Sequence, residues 1–201
     1  LNLNSVTVSS GYSTDFSGGG GIYSFFGTLT ITNSTLSGNS ALNGGGILAN
    51  YSTLTIANST FTTNSADGGI GGGIYNDNGA LTITNCTLSD NVARRGGGIQ
   101  NSIGSTLTVT NSTFSGNSAT DDGGGIYNSG NSTLNITTST FSSNSAGNGA
   151  GIYSDYSSVV TTTNNTFSGN NAFYGGGMYN AGGTLNVTNS TLNGNNASII
   201  G

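Results

Sequence analysis

Apolar residues return along the chain at fixed intervals. The string Gly-Gly-Gly-Ile, or a near variant, places its apolar residue at Ile22, Ile47, Ile74, Ile99, Ile126, Ile152 and Met178, with spacings of 25, 27, 25, 27, 26 and 26 residues. A second string, L-T-I-T-N-S-T-L/F-S-x-N, follows each one. Its first apolar position is Leu29, Leu54, Leu81, Leu107, Leu134, Val160 and Leu185, and its Leu/Phe position is Leu36, Phe61, Leu88, Phe114, Phe141, Phe167 and Leu192. Leu1, Leu3 and Val8 repeat this second element without the glycines. The interval from Leu to Leu/Phe is seven residues in every repeat, whereas the interval from Leu/Phe to the next Ile runs from eleven to thirteen. Length variation is therefore admitted mainly in that last connection.

Within L-T-I-T apolar and polar residues alternate, the period of a half-buried strand. Three short strands per repeat, turned by Gly or Asn, predict one rung of a parallel β-solenoid of about 26 residues. Residues 1–201 read as a single all-β solenoid domain, with a partial leading rung over 1–21 and repeats starting near 22, 47, 74, 99, 126, 152 and 178. The chain has no Pro, so every backbone N–H is free to bond a neighbouring rung. One rung buries too little to stand alone, and stacking supplies the rest. The interior is expected to be apolar, with the Ile, Leu and Phe columns stacked. Asn39, Asn64, Asn91, Asn117, Asn144, Asn170 and Asn195, three residues after each Leu/Phe, are expected to form a structural ladder at a corner.

Composition narrows the function. Gly, Asn, Ser and Thr make up 126 of the 201 residues, and Lys, Glu, His and Trp are absent. A Ser-His-Asp triad, a Schiff-base or P-loop lysine and a His-based metal site are thereby excluded. Two Arg against seven Asp exclude a phosphate-binding nucleic-acid surface. The longest apolar runs are two or three residues, far short of a membrane span. No signal-peptide pattern and no initiator Met are present, so a processed chain or an excised piece is expected. A lone Cys86 gives no disulfide framework.

The variable connection carries six of the nine charges, Asp15, Asp67, Arg94, Arg95, Asp121 and Asp122, together with the aromatics Tyr12, Phe16, Phe173 and Tyr174. This is the candidate interaction edge. Rungs about 4.8 Å apart would set Arg94 and Arg95 between Asp67 on one side and Asp121 and Asp122 on the other, which reads as a surface ion-pair ladder. A lyase or glycosidase is the least supported alternative, because Asp121 and Asp122 are adjacent on one turn rather than roughly 5 to 9 Å apart across a groove. Tyr23, Tyr75, Tyr127, Tyr153 and Tyr179 each follow an inward Ile or Met and are expected to form an exposed column, for strand propensity or for stacking on sugars.

Outward Thr28, Thr53, Thr106, Thr133 and Thr184 form one column and Thr30, Thr55, Thr82, Thr108 and Thr161 the next, interrupted by Ala80, Val159, Asn135 and Asn186. Such arrays resemble ice-binding solenoids, a further alternative. Asn33, Asn58, Asn85, Asn111 and Asn189 head N-x-S/T sequons, and Asn165 is assigned to the same place in the rung. Parity with Leu29 and Ile31 points Asn33 inward, which argues against N-glycans and leaves outward Ser and Thr for O-linked sugars.

The joint recurrence of Gly-Gly-x-Ile and F-x-x-N resembles the repeats of the chlamydial polymorphic outer-membrane proteins and related bacterial surface proteins. The resemblance covers the whole chain. It implies a right-handed parallel β-helix of roughly seven to eight rungs, an extracellular or cell-surface location, and an adhesive or structural role with no catalytic residues. Gly-Gly-Gly-Ile stands here where the family has Gly-Gly-Ala-Ile, and residues 1–201 contain no C-terminal membrane-barrel pattern, so secretion as an autotransporter is not expected from them. The two ends, marked by Leu1, Leu3 and Val8 and by Leu192, Ile199 and Ile200, are in phase with the repeat. Copies are thus expected to stack head to tail into a fibre. The leading reading is a non-enzymatic extracellular structural or adhesive solenoid, without a cofactor, whose partners are its own copies, glycans or a host or cell surface. An adhesin passenger fragment that binds glycans is the alternative nearest to it.

Overall fold

The computed structural model describes residues 1–15, 18–155 and 157–200. The chain winds as an all-parallel solenoid with three main sheets. Eight L-x-I strands, from Asn2–Asn4 and Thr28–Thr32 up to Thr184–Thr188, form the first sheet. Eight three-residue strands centred on Val8 and the Leu/Phe positions form the second, here called the Phe face. Seven strands that start at Ile22, Ile47, Ile74, Ile99, Ile126, Ile152 and Met178 form the third, the Ile face. Each strand pairs with its equivalents one rung below and above, residue for residue, as in Leu54↔Leu81↔Leu107. The connection adds a fourth strand in several rungs, which the repeat pattern did not indicate: Ser65–Ile70, Val92–Arg95 and Ser118–Asp122 pair with one another, and Asn171–Tyr174 pairs with Asn196–Ile200. Ala66, Ala93, Ala119 and Ala172, two residues beyond the ladder Asn, anchor these strands by pointing into the core.

Ile47, Leu54, Ile56 and Phe61 and their equivalents fill the interior, and the rings of Phe114, Phe141 and Phe167 stack at 4.7 and 4.8 Å. The corner Asn residues Asn39 to Asn170 are wholly buried. Each donates from both its backbone N–H and its Nδ2 to the Oδ1 of the Asn one rung up, at 2.8 to 3.1 Å. The second Nδ2 hydrogen reaches the Leu/Phe carbonyl one rung down, as from Asn117 to Leu88 at 2.9 Å. Every hydrogen-bonding atom of the buried amide is thereby satisfied, as burial requires.

The interior is not purely apolar, which corrects the expectation. A second ladder runs inside the Ile face: Asn76 Nδ2 donates to Asn101 Oδ1 and Asn101 Nδ2 to Asn128 Oδ1, both at 2.8 Å. It stops where the aligned residue is not Asn. Ala49 stands below Asn76 and Ser154 above Asn128, and these stops leave Asn76 Oδ1 and Ser154 Oγ buried without a partner. In the Val160 rung two polar residues enter the core together. Thr162 takes an Ile position, and Asn165 donates to Thr162 Oγ1 at 2.6 Å and to the Ile136 carbonyl at 3.1 Å.

The corner after L-T-I-T corrects the parity argument for the sequons. Asn33, Asn58, Asn85, Asn111 and Asn189 have φ between 48° and 54°, the left-handed region that Asn tolerates. That turn reverses the alternation, so the Asn points to solvent and the following Ser goes in. Ser34, Ser59, Ser112 and Ser139 are buried there, and their hydroxyls accept backbone N–H groups from the rung below or cap carbonyls two residues back. Cys86 takes one of these places, and burial raises its thiol pKa. Asn165 takes another, so the exposed left-handed residue and sequon head in that rung is Asn164.

Two substitutions test the ladders. Asn117→Ala removes the acceptor of both Asn91 donors and uncaps the Leu88 carbonyl, and should cost about 3 kcal/mol or more. Ser154→Asn extends the inner ladder toward Asn180 and should add about 1 kcal/mol. Denaturant unfolding reads both, and an unchanged midpoint in either would break the account of that ladder.

Candidate groove beside the Ile face

The glycine turn positions the candidate site. The chain climbs the connection strand Ser118–Asp122, reverses at Gly123 and enters the strand Ile126–Asn128. Gly123 has φ +68°, and a Cβ there would lie 2.6 Å from the Ile126 carbonyl oxygen, so only Gly makes this turn. The reversal folds the connection against the outer surface of the Ile face. The residues just before the turn line up as one wall, Arg95, Asp122, Asn148 and Tyr174, each paired with the next.

The floor is the outward column of the Ile face. Tyr127, Tyr153 and Tyr179 stack ring on ring at 5.0 and 5.4 Å. Arg95 lies over Tyr127 with its guanidinium carbon 5.6 Å from the ring centre, a cation–π contact. Its Nε is 3.4 Å from Asp122 Oδ2, and Asn148 Nδ2 donates to Asp122 Oδ1 at 2.7 Å. Asp155 closes the far side. Its Oδ1 accepts from the Gly130 N–H at 3.1 Å and the Ser158 hydroxyl at 3.2 Å, and its Oδ2 accepts from the Tyr127 hydroxyl at 3.4 Å.

Burial, and then the charge of Asp155, pushes the Tyr127 phenol up to about 12. Burial, and then the charges of Asp122 and Asp155, does the same to Tyr153, up to about 12. Lower on the same face, burial raises both Tyr75 and the Asp77 carboxyl.

The expected tyrosine column is corrected in two respects. It is broken, because Tyr75 pairs with Leu48 below and Gln100 above. It is also mostly covered: Tyr23 is 44 % exposed, but Tyr127 is only 7 % exposed beneath the connection wall. The stacked rings spend their faces on one another, so the stretch from Tyr127 to Tyr179 presents ring edges and hydroxyls to the groove rather than open platforms for a sugar.

The expected ion-pair ladder is likewise one-sided. Arg94 pairs with Asp121 at 2.8 Å and Arg95 with Asp121 and Asp122 at 3.8 and 3.4 Å. Among the described residues neither arginine pairs with Asp67. The register explains why: pairing jumps from Ala93↔Ala66 to Arg95↔Ile70, so Asp67 and the two glycines after it bulge out of alignment. Asp67 instead lines a pocket of about 220 Å³ with Tyr12 and Ser40.

Of the predicted edge, the structure thus gathers Arg94, Arg95, Asp121, Asp122 and Tyr174 around the groove and leaves Tyr12, Asp15 and Asp67 at the lower rungs. Phe173 is exposed, and Phe16 lies outside the described residues. At the ends Leu1, Leu192 and Ile199 are exposed and Leu3 and Val8 are half-buried against the core, while the Ile200 side chain lies outside the described residues. Sequence reasoning missed Asp155 and Asn148. Asp155 had a signal, since it sits two residues beyond Tyr153 and shares its outward parity; Asn148 had none, because only the Gly turn places it.

Among the described residues no group of three or more Asp or Cys side chains could hold a metal ion, and no helix is long and apolar enough to cross a membrane. The model of the right-handed β-helix region family matches residues 2–141 and again 69–200. The chain belongs to the right-handed β-helix family. This settles the hand of the coil, which strand periodicity leaves open. No curated protein and no solved structure matches the chain.

The groove makes a pH prediction. Tyr127 and Tyr153 hold their protons to about 12 in the folded state against an ordinary value of 10.0, so the unfolded chain ionises first. The stability they hold below about pH 10 is lost as pH rises toward 12. Melting temperature should fall over that window, and the fall should be smaller in a Tyr127→Phe/Tyr153→Phe variant. An equal fall in both proteins would show that these phenols do not carry the dependence.

Proposed function

We propose that this right-handed β-helix is a structural and adhesive module of an extracellular or cell-surface protein, and that it binds without catalysing a reaction. The observation that carries the reading is the use made of the charged groups in the groove. Asp122 is held by Arg95 and Asn148, and Asp155 by Gly130, Ser158 and Tyr127, so both carboxylates already act as acceptors within the protein. A glycosidase needs one carboxyl group free to donate a proton and another free to attack or activate water. Side chains that brace a wall against a floor instead give a rigid, hydroxyl-rich edge suited to hydrogen bonding with polysaccharide. The likeness of the Gly-Gly-x-Ile and F-x-x-N motifs to chlamydial-type surface repeats supports the placement outside the cell.

Incubation of the purified chain with a panel of soluble acidic and neutral polysaccharides tests this. Retention of at least one of them, weakened by Asp155→Ala or Tyr153→Ala and unaccompanied by new reducing ends or unsaturated products, is expected. Chain cleavage would overturn the non-catalytic reading, and failure to retain any polysaccharide would remove the groove as the adhesive edge. Sedimentation velocity on the same preparation reads whether copies join end to end.

A further inference from the structure

We propose that the outer surface of the L-x-I sheet is an ice-binding face, whose ligand is the ordered water at the surface of an ice crystal. This is independent of the groove and does not rest on the reading given to it.

The five-residue strands present three outward positions, and pairing in register converts them into three straight columns. The first holds Thr28, Thr53, Thr106, Thr133 and Thr184, and the second Thr30, Thr55, Thr82, Thr108 and Thr161. Pairing adds a third, with Thr32, Thr84, Thr110, Thr137, Thr163 and Thr188. Over the seven rungs from Thr28–Thr32 to Thr184–Thr188, 16 of the 21 outward positions are Thr. The exceptions are Ala57, Ala80, Val159, Asn135 and Asn186, so no charge or aromatic ring interrupts the field. None of these threonines is buried, and apart from Thr32, which donates to Asn4 at 3.0 Å, their hydroxyls make no hydrogen bond to protein among the described residues.

What sets this face apart is breadth: the Phe face carries a single outward Thr column, unbroken from Thr7 to Thr191, beside a column that is mostly Ser, and only the L-x-I sheet carries three adjacent columns rich in Thr. The outward positions of the Ile face, several of them buried under the connection, are Tyr, Phe, Leu, Gln, Asn, Asp and Ser, with no Thr. Aromatic residues satisfy strand propensity equally well. What Thr adds is a hydroxyl and a methyl on one stiff Cβ, held in few rotamers.

Repetition at about 4.8 Å between rungs and about 6.6 Å along each strand fixes those groups on a two-dimensional lattice before any ligand arrives. The first sheet also keeps its register without a bulge, whereas the connection strands shift at Ala93/Arg95 and at Ala172/Tyr174. A lattice of hydroxyls without protein partners, each beside a methyl that directs water away from itself, matches a ligand that is itself a lattice of water. A discrete ligand would gain nothing from repetition over seven rungs. Preordering matters because bridging waters are otherwise immobilised at an entropic cost.

Thermal hysteresis and inhibition of ice recrystallisation, measured on the whole chain, test the proposal. The parent is expected to show both. Thr82→Tyr and Thr108→Tyr, which raise a ring out of the lattice, should return both readings to the buffer value, while Thr113→Tyr on the Phe face and Tyr153→Phe in the groove should leave them unchanged. Circular dichroism at the assay temperature confirms that each variant is folded. Where a Tyr variant is not, Thr108→Val keeps the branched shape, removes one hydroxyl, and should still reduce hysteresis. No ice activity at millimolar concentration would overturn the proposal, as would loss of activity in Thr113→Tyr equal to that in Thr108→Tyr. Retention on powdered crystalline polysaccharide that Thr108→Tyr abolishes, without ice activity, would assign the face to a different ligand and overturn it as well.

Discussion

The vertical amide ladder at the corner after each Leu or Phe is the constraint on which the rest depends. A buried amide is costly unless all its hydrogen-bonding atoms are used, and each Asn between Asn64 and Asn170 uses them only by having an identical neighbour at the same height above and below. That requirement fixes the distance from Leu or Phe to Asn at three residues and keeps the Phe rings in one column. It also couples rungs, since a slip of one residue would strand several buried donors and acceptors at once. Variation in length is left only for the segment beyond the ladder. The chemically varied edge of the molecule is thus a consequence of the invariant corner next to it.

The same logic governs the polar groups inside. Asn76, Asn101 and Asn128 are tolerated because they pair with one another, and the ladder ends with an orphaned atom where Ala49 or Ser154 interrupts it. Thr162 and Asn165 show the other solution, two polar residues admitted together in one rung with each answering the other. A solenoid interior therefore selects between pairing upward and pairing sideways rather than simply for apolarity. An isolated polar residue at either position would leave a buried group unpaired.

Much of this is legible in the residues. The rung, its inward Ile, Leu and Phe, and the place of the corner Asn follow from spacing alone, because a parallel stack forces equal positions into columns. The failures share a different cause. Alternation points Asn33 inward, but a left-handed residue reverses the alternation, and the sign of φ is not written in a strand pattern. Tyr127 was expected to be exposed, but the Gly123 turn folds the preceding strand over it, and that contact joins segments whose separation varies from rung to rung. Asp67 was expected beside Arg94, and a register shift of two residues sends it elsewhere. Periodicity specifies which residues share a height; it does not specify what leans across from the next face.

The outer faces are free to diverge for a reason that lies in the core. Inward residues and ladder amides determine where each rung sits, and alternation along a strand then leaves the outward residues with little influence on stability beyond strand propensity. One scaffold can therefore carry a charged groove of Tyr, Arg and Asp along its Ile face and an uncharged Thr field along its L-x-I sheet, with neither compromising the other. Where a broad face repeats one chemistry in several adjacent columns, the ligand it suits is one that repeats with the rungs. Where a face changes from rung to rung, as from Arg95 to Asp122 to Asn148 to Tyr174, the ligand it suits is one read locally, a few residues at a time.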